Sequence, residues 1–312
     1  METLIHPVDR TLLKKELTKD LFIRDTNNGH NQIFIFTHDQ APNLMRELGR
    51  LREQTFREAS GGTGKCCDID DYDTAKSPFK QLIVWDPQDE EIIGGYRFIV
   101  GKDVQNGKDG HPSSPTAKLF KFSDKFLREF WPLSFELGRS FVQPIYQPTV
   151  NLRKGMYSLD NLWDGLGAIT IENPEVKYFF GKITMYPSYD TFARDMILYF
   201  MHKYFPDHDK LVVPRDPLVI QTHEKVLSSI FFGANYDEDY KVLVQKVRHL
   251  KEQIPPLVNA YMNLSGSMRT FGTAINNAFG DVEETAIIIT IADIYDYKKD
   301  RHMSTYKADS HD

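Results

Sequence analysis

A chain of 312 residues, 41% hydrophobic, 12% aromatic and 26% charged, is long enough to bury a sizeable core and too apolar to be disordered over most of its length. A formal net charge of -6 supplies no global basic field, which argues against nucleic acid as the main partner. The two cysteines, Cys66 and Cys67, are adjacent; they make neither a disulfide framework nor a zinc-site spacing, and they suit a reducing cytoplasm.

Residues 32–37, QIFIFT, read as a short strand. DQAPNLMRELGRLREQTFREAS (39–60) reads as a helix, with Leu44, Leu48 and Leu51 at helical spacing and two glycines ending it. Arg52 and Phe56 stand four apart and therefore share a helix face. An acidic loop, CDIDDYDTAKSPF (67–79), leads into QLIVWDPQDEEIIGGYRFIVG (81–101), whose two apolar runs flank a polar turn in the manner of a β-hairpin. Residues 102–118 read as a polar loop and 123–131 as a short helix capped by Ser123. A strand follows at 135–144, a helix at 158–174, a strand at 176–187 and a helix at 188–205. Residues 237–256 are expected to form one helix with Leu243, Val247 and Leu250 on one side, stopped by Pro255 and Pro256. A last strand is expected at 285–294.

Strands and helices mix without strict βαβ alternation. The expected fold is therefore mixed α/β, a twisted mixed sheet flanked by helices. Residues 1–296 are expected to form a single domain, with 206–296 a C-terminal extension completing the core and 297–312 a flexible polar tail. The N-terminal METLIHPVDRTLLKKELTKD has no apolar run of signal-peptide length, and AIIITIADI (286–294) is far too short to span a bilayer. A cytoplasmic protein is expected, with peripheral contact at the inner membrane face left open.

FELGRSFVQP (135–144) carries Glu136 and Arg139 in a half-buried strand, which is costly unless the charges are paired or used. On a regular strand the two point to opposite faces. Gly138 between them tolerates a bulge, and a bulge would swing Arg139 onto the side of Glu136. Spacing alone fits a structural Arg–Glu pair equally well. DDYD (70–73) lacks the glycine and distant glutamate of a calcium loop, so no metal is expected there. HKYFPD (202–207) matches the H-x-x-x-x-D pattern of glycerolipid O-acyltransferases, but its Asp follows a proline in a loop and no companion motif is present; coincidence is the better explanation. Cys66 and Cys67 lack a convincing base for nucleophilic work.

Taken in order, LREQTF, DDYD, GGYRF and ELGRSFVQPIY resemble the motif series of the GNAT-like acyltransferases that use acyl carrier protein. The series is similar to that of the acyl-homoserine-lactone synthases. It is closer to the N-acyltransferases that begin ornithine-lipid and glycine-lipid synthesis, often labelled hemolysin-like. The resemblance extends through LWDGLGAI (162–169), YFFGKITM (178–185) and most of 254–294. The SGSMRTFG segment (265–272) is looser than the family form, and 102–118 looks inserted; both bear on the acceptor more than on the chemistry.

The resemblance implies a GNAT-like fold and an activated thioester donor, so no protein nucleophile and no bound cofactor are needed. Glu136, Arg139 and Arg97 are implied as catalytic, Glu136 acting as general base or organising the arginines. Arg52, Phe56, Asp70, Asp73, Ser140 and Phe141 are implied at the substrate site. Coenzyme A users of this superfamily bind pyrophosphate on a glycine-rich turn at a helix N-terminus. QPIYQPTVNLRKGMYS after the 135–142 strand has one glycine, which favours acyl carrier protein as donor. An acidic carrier needs a basic patch, for which Lys118, Lys121, Lys125, Arg128, Arg153 and Lys154 are candidates. The implied reaction moves a (3-hydroxy)fatty acyl group to the α-amine of glycine or ornithine, giving a lyso-aminolipid. A lactone-type signal synthase and a non-catalytic membrane-associated protein remain the alternatives.

Overall fold

The computed structural model describes residues 1–108 and 110–307. Strands in chain order are β1 Phe22–Asp25, β2 Gln32–Phe36, β3 Lys80–Asp86, β4 Glu91–Val100, β5 Phe120–Phe122, β6 Ser134–Val142, β7 Tyr178–Met185, β8 Val212–Pro214, β9 Arg269–Asn276 and β10 Val282–Thr290. Helices are α1 Arg10–Glu16, α2 Pro42–Glu58, α3 Asp71–Thr74, α4 Pro115–Leu119, α5 Leu152–Gly155 and α6 Ser158–Glu172. They continue with α7 Thr191–Tyr204, α8 Glu224–Ile230, α9 Tyr236–His249, α10 Pro256–Met262 and α11 Asp296–His302. The fold is mixed α/β, as expected.

The chain gathers into two compact units. The first comprises residues 1–114, 131–177 and the segment from Tyr295; the second comprises 115–130 and 178–294. In the first unit the strand order is β1-β2-β3-β4-β6, with every neighbouring pair antiparallel. Gln81 and Leu82 on β3 point to opposite faces. Gln81 meets Arg52 of α2 and Leu82 meets α6 at Gly165, so the two helices cover opposite faces of this sheet. In the second unit β10 pairs antiparallel with β7 and β9, and β5 with β8. Its core includes the rings of Phe122, Phe126, Phe180 and Phe271.

Three boundaries differ from the expectation. The helix expected to run from 237 to Pro255-Pro256 ends at His249, where Lys251 takes a left-handed backbone (φ 64°). The prolines open the next helix instead: Pro255 is its cap and Pro256 its first residue, where a missing N–H costs nothing. The strand expected at 285–294 spans 282–290 and ends in a 3-10 turn at 291–293. The tail expected from 297 begins with α11, whose His302 is buried against α6, its ring Nδ1 2.7 Å from the Asp164 carboxylate. The rest of that tail, 308–312, lies outside the described residues.

Gly167 of α6 lies flush with this helix end: a Cβ there would fall 2.2 Å from the His302 carbonyl oxygen. Gly167→Ala is expected to lower unfolding free energy by ~1–3 kcal/mol in urea titration, because backbone must shift to admit the methyl group. It should also make 296–302 an early site of limited proteolysis. Unchanged stability and protection would show that α11 is not locked at this contact.

Candidate functional site

α2 presents Arg52 to the sheet, buried to 1% exposure. Its Nη2 lies 2.8 Å from Asp73 Oδ2, its Nε 3.3 Å from Asp68 Oδ2, and its Nη1 donates to Gln81 Oε1 at 3.2 Å. Nη2 also donates to the Asp68 carbonyl oxygen. Arg97 of β4, equally buried, reaches Asp70 Oδ1 at 2.8 Å and Asp73 Oδ1 at 3.2 Å. Its guanidinium lies over the rings of Tyr72 and Phe79, 5.7 and 5.2 Å from their centroids. Arg139 of β6 places Nε 2.8 Å and Nη2 3.0 Å from the two Asp68 oxygens, and Nη2 3.6 Å from Asp70 Oδ2. Arg52, Arg97 and Arg139 thus face Asp68, Asp70 and Asp73 in a charge-balanced cluster.

The loop that delivers the carboxylates is itself built. Asp70 caps α3: its side chain accepts from the backbone N–H groups of Tyr72 and Asp73, and the Asp73 carboxylate returns to the Asp70 N–H, a reciprocal capping box. The stretch expected as an acidic loop therefore contains a helical turn. The Asp68 N–H donates to the Gly49 carbonyl of α2 at 3.0 Å, which seats the loop on that helix.

The bulge anticipated at Gly138 is present one residue later. Gly95 pairs with Phe141 but Arg97 pairs with Gly138, so β6 carries one residue more than β4 across this interval. Arg139, not the glycine, adopts the left-handed backbone, at φ 49°. One extra residue reverses the facing of everything after it. Glu136 and Gly138 lie on the α2 face, opposite Ile99 and Arg97; beyond the bulge Phe141 joins them there, edge-on to Phe56 at 6.4 Å between ring centroids. Gly94 admits this bend, since a Cβ there would fall 2.3 Å from the Phe141 carbonyl oxygen.

Glu136 is buried to 1% exposure on the same face, and Ser140 is half-buried on the bulge. Arg52, Phe56, Asp70, Asp73, Arg97, Glu136, Arg139, Ser140 and Phe141, all singled out from sequence, therefore fall together in the first unit. The sequence reading missed Asp68, which bridges two of the arginines, and Gln81, whose Nε2 donates to Asp73 Oδ1 at 3.0 Å. The alternation of acids in CDIDDYD is the signal that could have flagged Asp68.

The basic residues expected at a carrier contact do not fall in one unit. Lys121, Lys125 and Arg128 are exposed in the second, where Lys125 pairs with Asp209 at 3.4 Å; Arg153 and Lys154 are exposed in the first. Burial pushes the Cys67 thiol up to about 11, which leaves it protonated and a poor nucleophile at neutral pH. Asp207 of the H-x-x-x-x-D match accepts the N–H of Leu211 at 2.6 Å, within its own turn. No helix among the described residues is long and apolar enough to cross a membrane.

The family described as an acetyltransferase (GNAT) domain matches residues 51–154, the span from within α2 to α5. The chain is 55% identical over 306 residues to the glycine N(alpha)-acyltransferase of Bacteroides thetaiotaomicron, covering 98% of this chain and 91% of that one. It is 54% identical over 306 residues to the protein of the same name from Phocaeicola vulgatus, covering 98% and 94%. Among solved structures, a CoA-dependent acyl-homoserine lactone synthase aligns over 86% of both chains at 10% identity and a TM-score of 0.38.

Burial alone would raise the pKa of Asp73, but the neighbouring Arg52 and Arg97 outweigh it and hold the carboxyl well below the usual carboxylate range. The folded state then binds fewer protons than the unfolded chain, whose Asp titrates at about 3.9. The stabilisation is complete above that value and is lost as pH falls below it. Asp73→Asn should cost ~3–5 kcal/mol near neutral pH, since it leaves buried guanidiniums without their charge partner. Urea midpoints of wild type and variant should converge below about pH 4; a gap that does not narrow would remove Asp73 charge as its source. Asp68→Asn should destabilise to a similar degree, about 3–5 kcal/mol.

Proposed function

The chain belongs to the N-acyltransferase family of its curated relatives, the glycine N(alpha)-acyltransferases, and from that premise we propose that it transfers a fatty acyl group from a carrier-protein thioester to the α-amine of glycine. The identity to those relatives along nearly the whole chain carries this proposal. The acyl group proposed is 3-hydroxylated and the product a lyso-aminolipid.

A thioester is already activated, so the enzyme has three tasks: to hold the amine against the carbonyl carbon, to take a proton, and to stabilise the tetrahedral oxyanion. Glycine arrives as an ammonium ion. Glu136, buried on the α2 face of β6, accepts a proton from it directly or through a water, freeing the lone pair for attack. The C–N bond forms, the C–S bond breaks, and the phosphopantetheine thiolate leaves with a proton. Arg139 and Ser140 stand between the register pairs Arg97–Gly138 and Gly95–Phe141, and backbone N–H groups near 139–142 are the proposed oxyanion donors. Arg139, held by Asp68 and Asp70, contributes positive charge beside them. Arg52, Arg97, Asp70 and Asp73 hold the helix, the strand and the acidic turn together beside the proposed site.

The donor rests on a weaker argument, the lack of a glycine-rich turn after β6 where coenzyme A pyrophosphate would sit. Lys121, Lys125 and Arg128 are the proposed carrier contacts.

The test is a purified-protein assay with 3-hydroxyacyl carrier protein and glycine, reading thiol release and product mass together. We expect N-acylglycine in one-to-one yield with thiol. Product only with ornithine or S-adenosylmethionine would overturn the acceptor, and equal use of acyl coenzyme A would overturn the donor. Glu136→Gln should lower kcat by roughly 10²-fold or more in folded protein, checked by circular dichroism. Retained kcat would sink the base assignment.

A further inference from the structure

The segment between β6 and α6 has a fixed base and an apolar crown. Tyr146 is buried, and its hydroxyl lies 3.0 Å from Asp86 Oδ2 and 2.9 Å from Asp89 Oδ2. Ser158 donates to the Tyr146 carbonyl at 2.9 Å. The Asn151 side chain accepts from the Lys154 N–H at 3.1 Å, capping the single turn of α5. From this base Ile145, Val150, Leu152, Met156 and Tyr157 stand out into solvent, Leu152 at 69% and Val150 at 65% exposure. Leu152 and Met156 are four apart and share one side of the turn. Single exposed apolar residues are ordinary on any surface; five within residues 145–157 are not.

Charge decides what could cover them. Lys154 is paired with Asp89, whereas among the described residues Arg153 has no ion-pair partner and stands exposed beside Leu152. The base beneath carries Asp86, Asp89, Glu90 and Glu91, with Lys14 on Glu90 at 2.7 Å and Arg10 on Glu91. With Asp89, Glu90 and Glu91 already paired, the base is close to neutral and Arg153 adds a single cation, too little to recognise a folded acidic protein by charge. A second copy of the chain would need about 800 Å² on each side for a stable interface, contributed by roughly 20–30 residues rather than by one short segment. A lipid surface needs neither a complementary groove nor a large cationic field. It needs apolar side chains to enter the acyl region, an aromatic residue with a polar tip, and a cation at the headgroups.

We propose that residues 145–157 are the surface by which this protein docks on a lipid bilayer, with Leu152 and Met156 inserted and Arg153 on anionic headgroups. Arg153 and Lys154, expected at a carrier contact, then belong to this surface. The inference rests partly on the acyl-transfer proposal, whose amphiphilic product partitions into a bilayer. It is nevertheless measured without any acyl donor.

Sedimentation of the full chain with vesicles of phosphatidylcholine, with and without phosphatidylglycerol, tests it. We expect wild type to co-sediment, more with phosphatidylglycerol. Combining Leu152→Asp with Met156→Asp should cut the bound fraction roughly tenfold or more. Thermal midpoint and activity on a soluble short-chain donor should be unchanged. Arg153→Glu should remove the phosphatidylglycerol preference alone. The proposal is overturned if wild type ignores both vesicles, or if the double variant binds like wild type. It is equally overturned if the variant leaves binding intact while dissociating a dimer or raising KM for the carrier protein. Vesicle binding without acylation would sink the reaction and leave the docking surface standing.

Discussion

Three guanidiniums and three carboxylates cannot be taken out of water one at a time. Each unpaired buried ion would cost several kcal/mol, and the attraction among them repays that cost only when the whole set is assembled. Arg52 comes from α2, Asp68, Asp70 and Asp73 from the turn after it, Arg97 from β4 and Arg139 from β6. These elements are therefore fixed to one another by an interaction that tolerates no half-formed version. The gain is geometric specificity more than net stability, because apolar side chains of similar size could fill the same volume.

The bulge in β6 depends on this network. A left-handed backbone at a residue with a Cβ costs roughly 1–2 kcal/mol, and Gly138 next door could have taken that conformation freely. Arg139 takes it instead and is held there by the Asp68 carboxylate on two of its nitrogens. The strained backbone and the buried ion pair thus explain each other. Their joint effect is to gather Glu136, Arg139 and Phe141 on one face, an arrangement that a regular strand forbids.

Much of this was legible in the sequence, and what was not has physical causes. The i, i+4 relation of Arg52 and Phe56 is a property of any helix, so their shared face followed directly. The bulge was foreseeable because two opposite charges near a glycine in a buried strand demand a device. Its site was not, since glycine is the cheaper host and only the tertiary partner Asp68 reverses that preference. Asp68 looked like one more acid in a polar loop; its burial arises from the seat on Gly49 and from two arginines distant in sequence. Pro255 and Pro256 mislead because proline at a first helical position and proline after a helix look alike in sequence. Charge along the sequence contains no information about which unit Lys121, Lys125, Arg128, Arg153 or Lys154 joins.

The order in which the chain is made acquires a meaning from the split of the first unit. Its strands and α6 precede residue 178, but α11, which carries His302 against Asp164, follows the whole of 178–294. In order of synthesis, the last residue of the second unit precedes the last element of the first. Until residue 302 is made, Asp164 and the face of α6 around Gly167 lack the partner that covers them. The final closure is a contact between residues 138 apart in the sequence, the kind of non-local step that sets a slow folding rate.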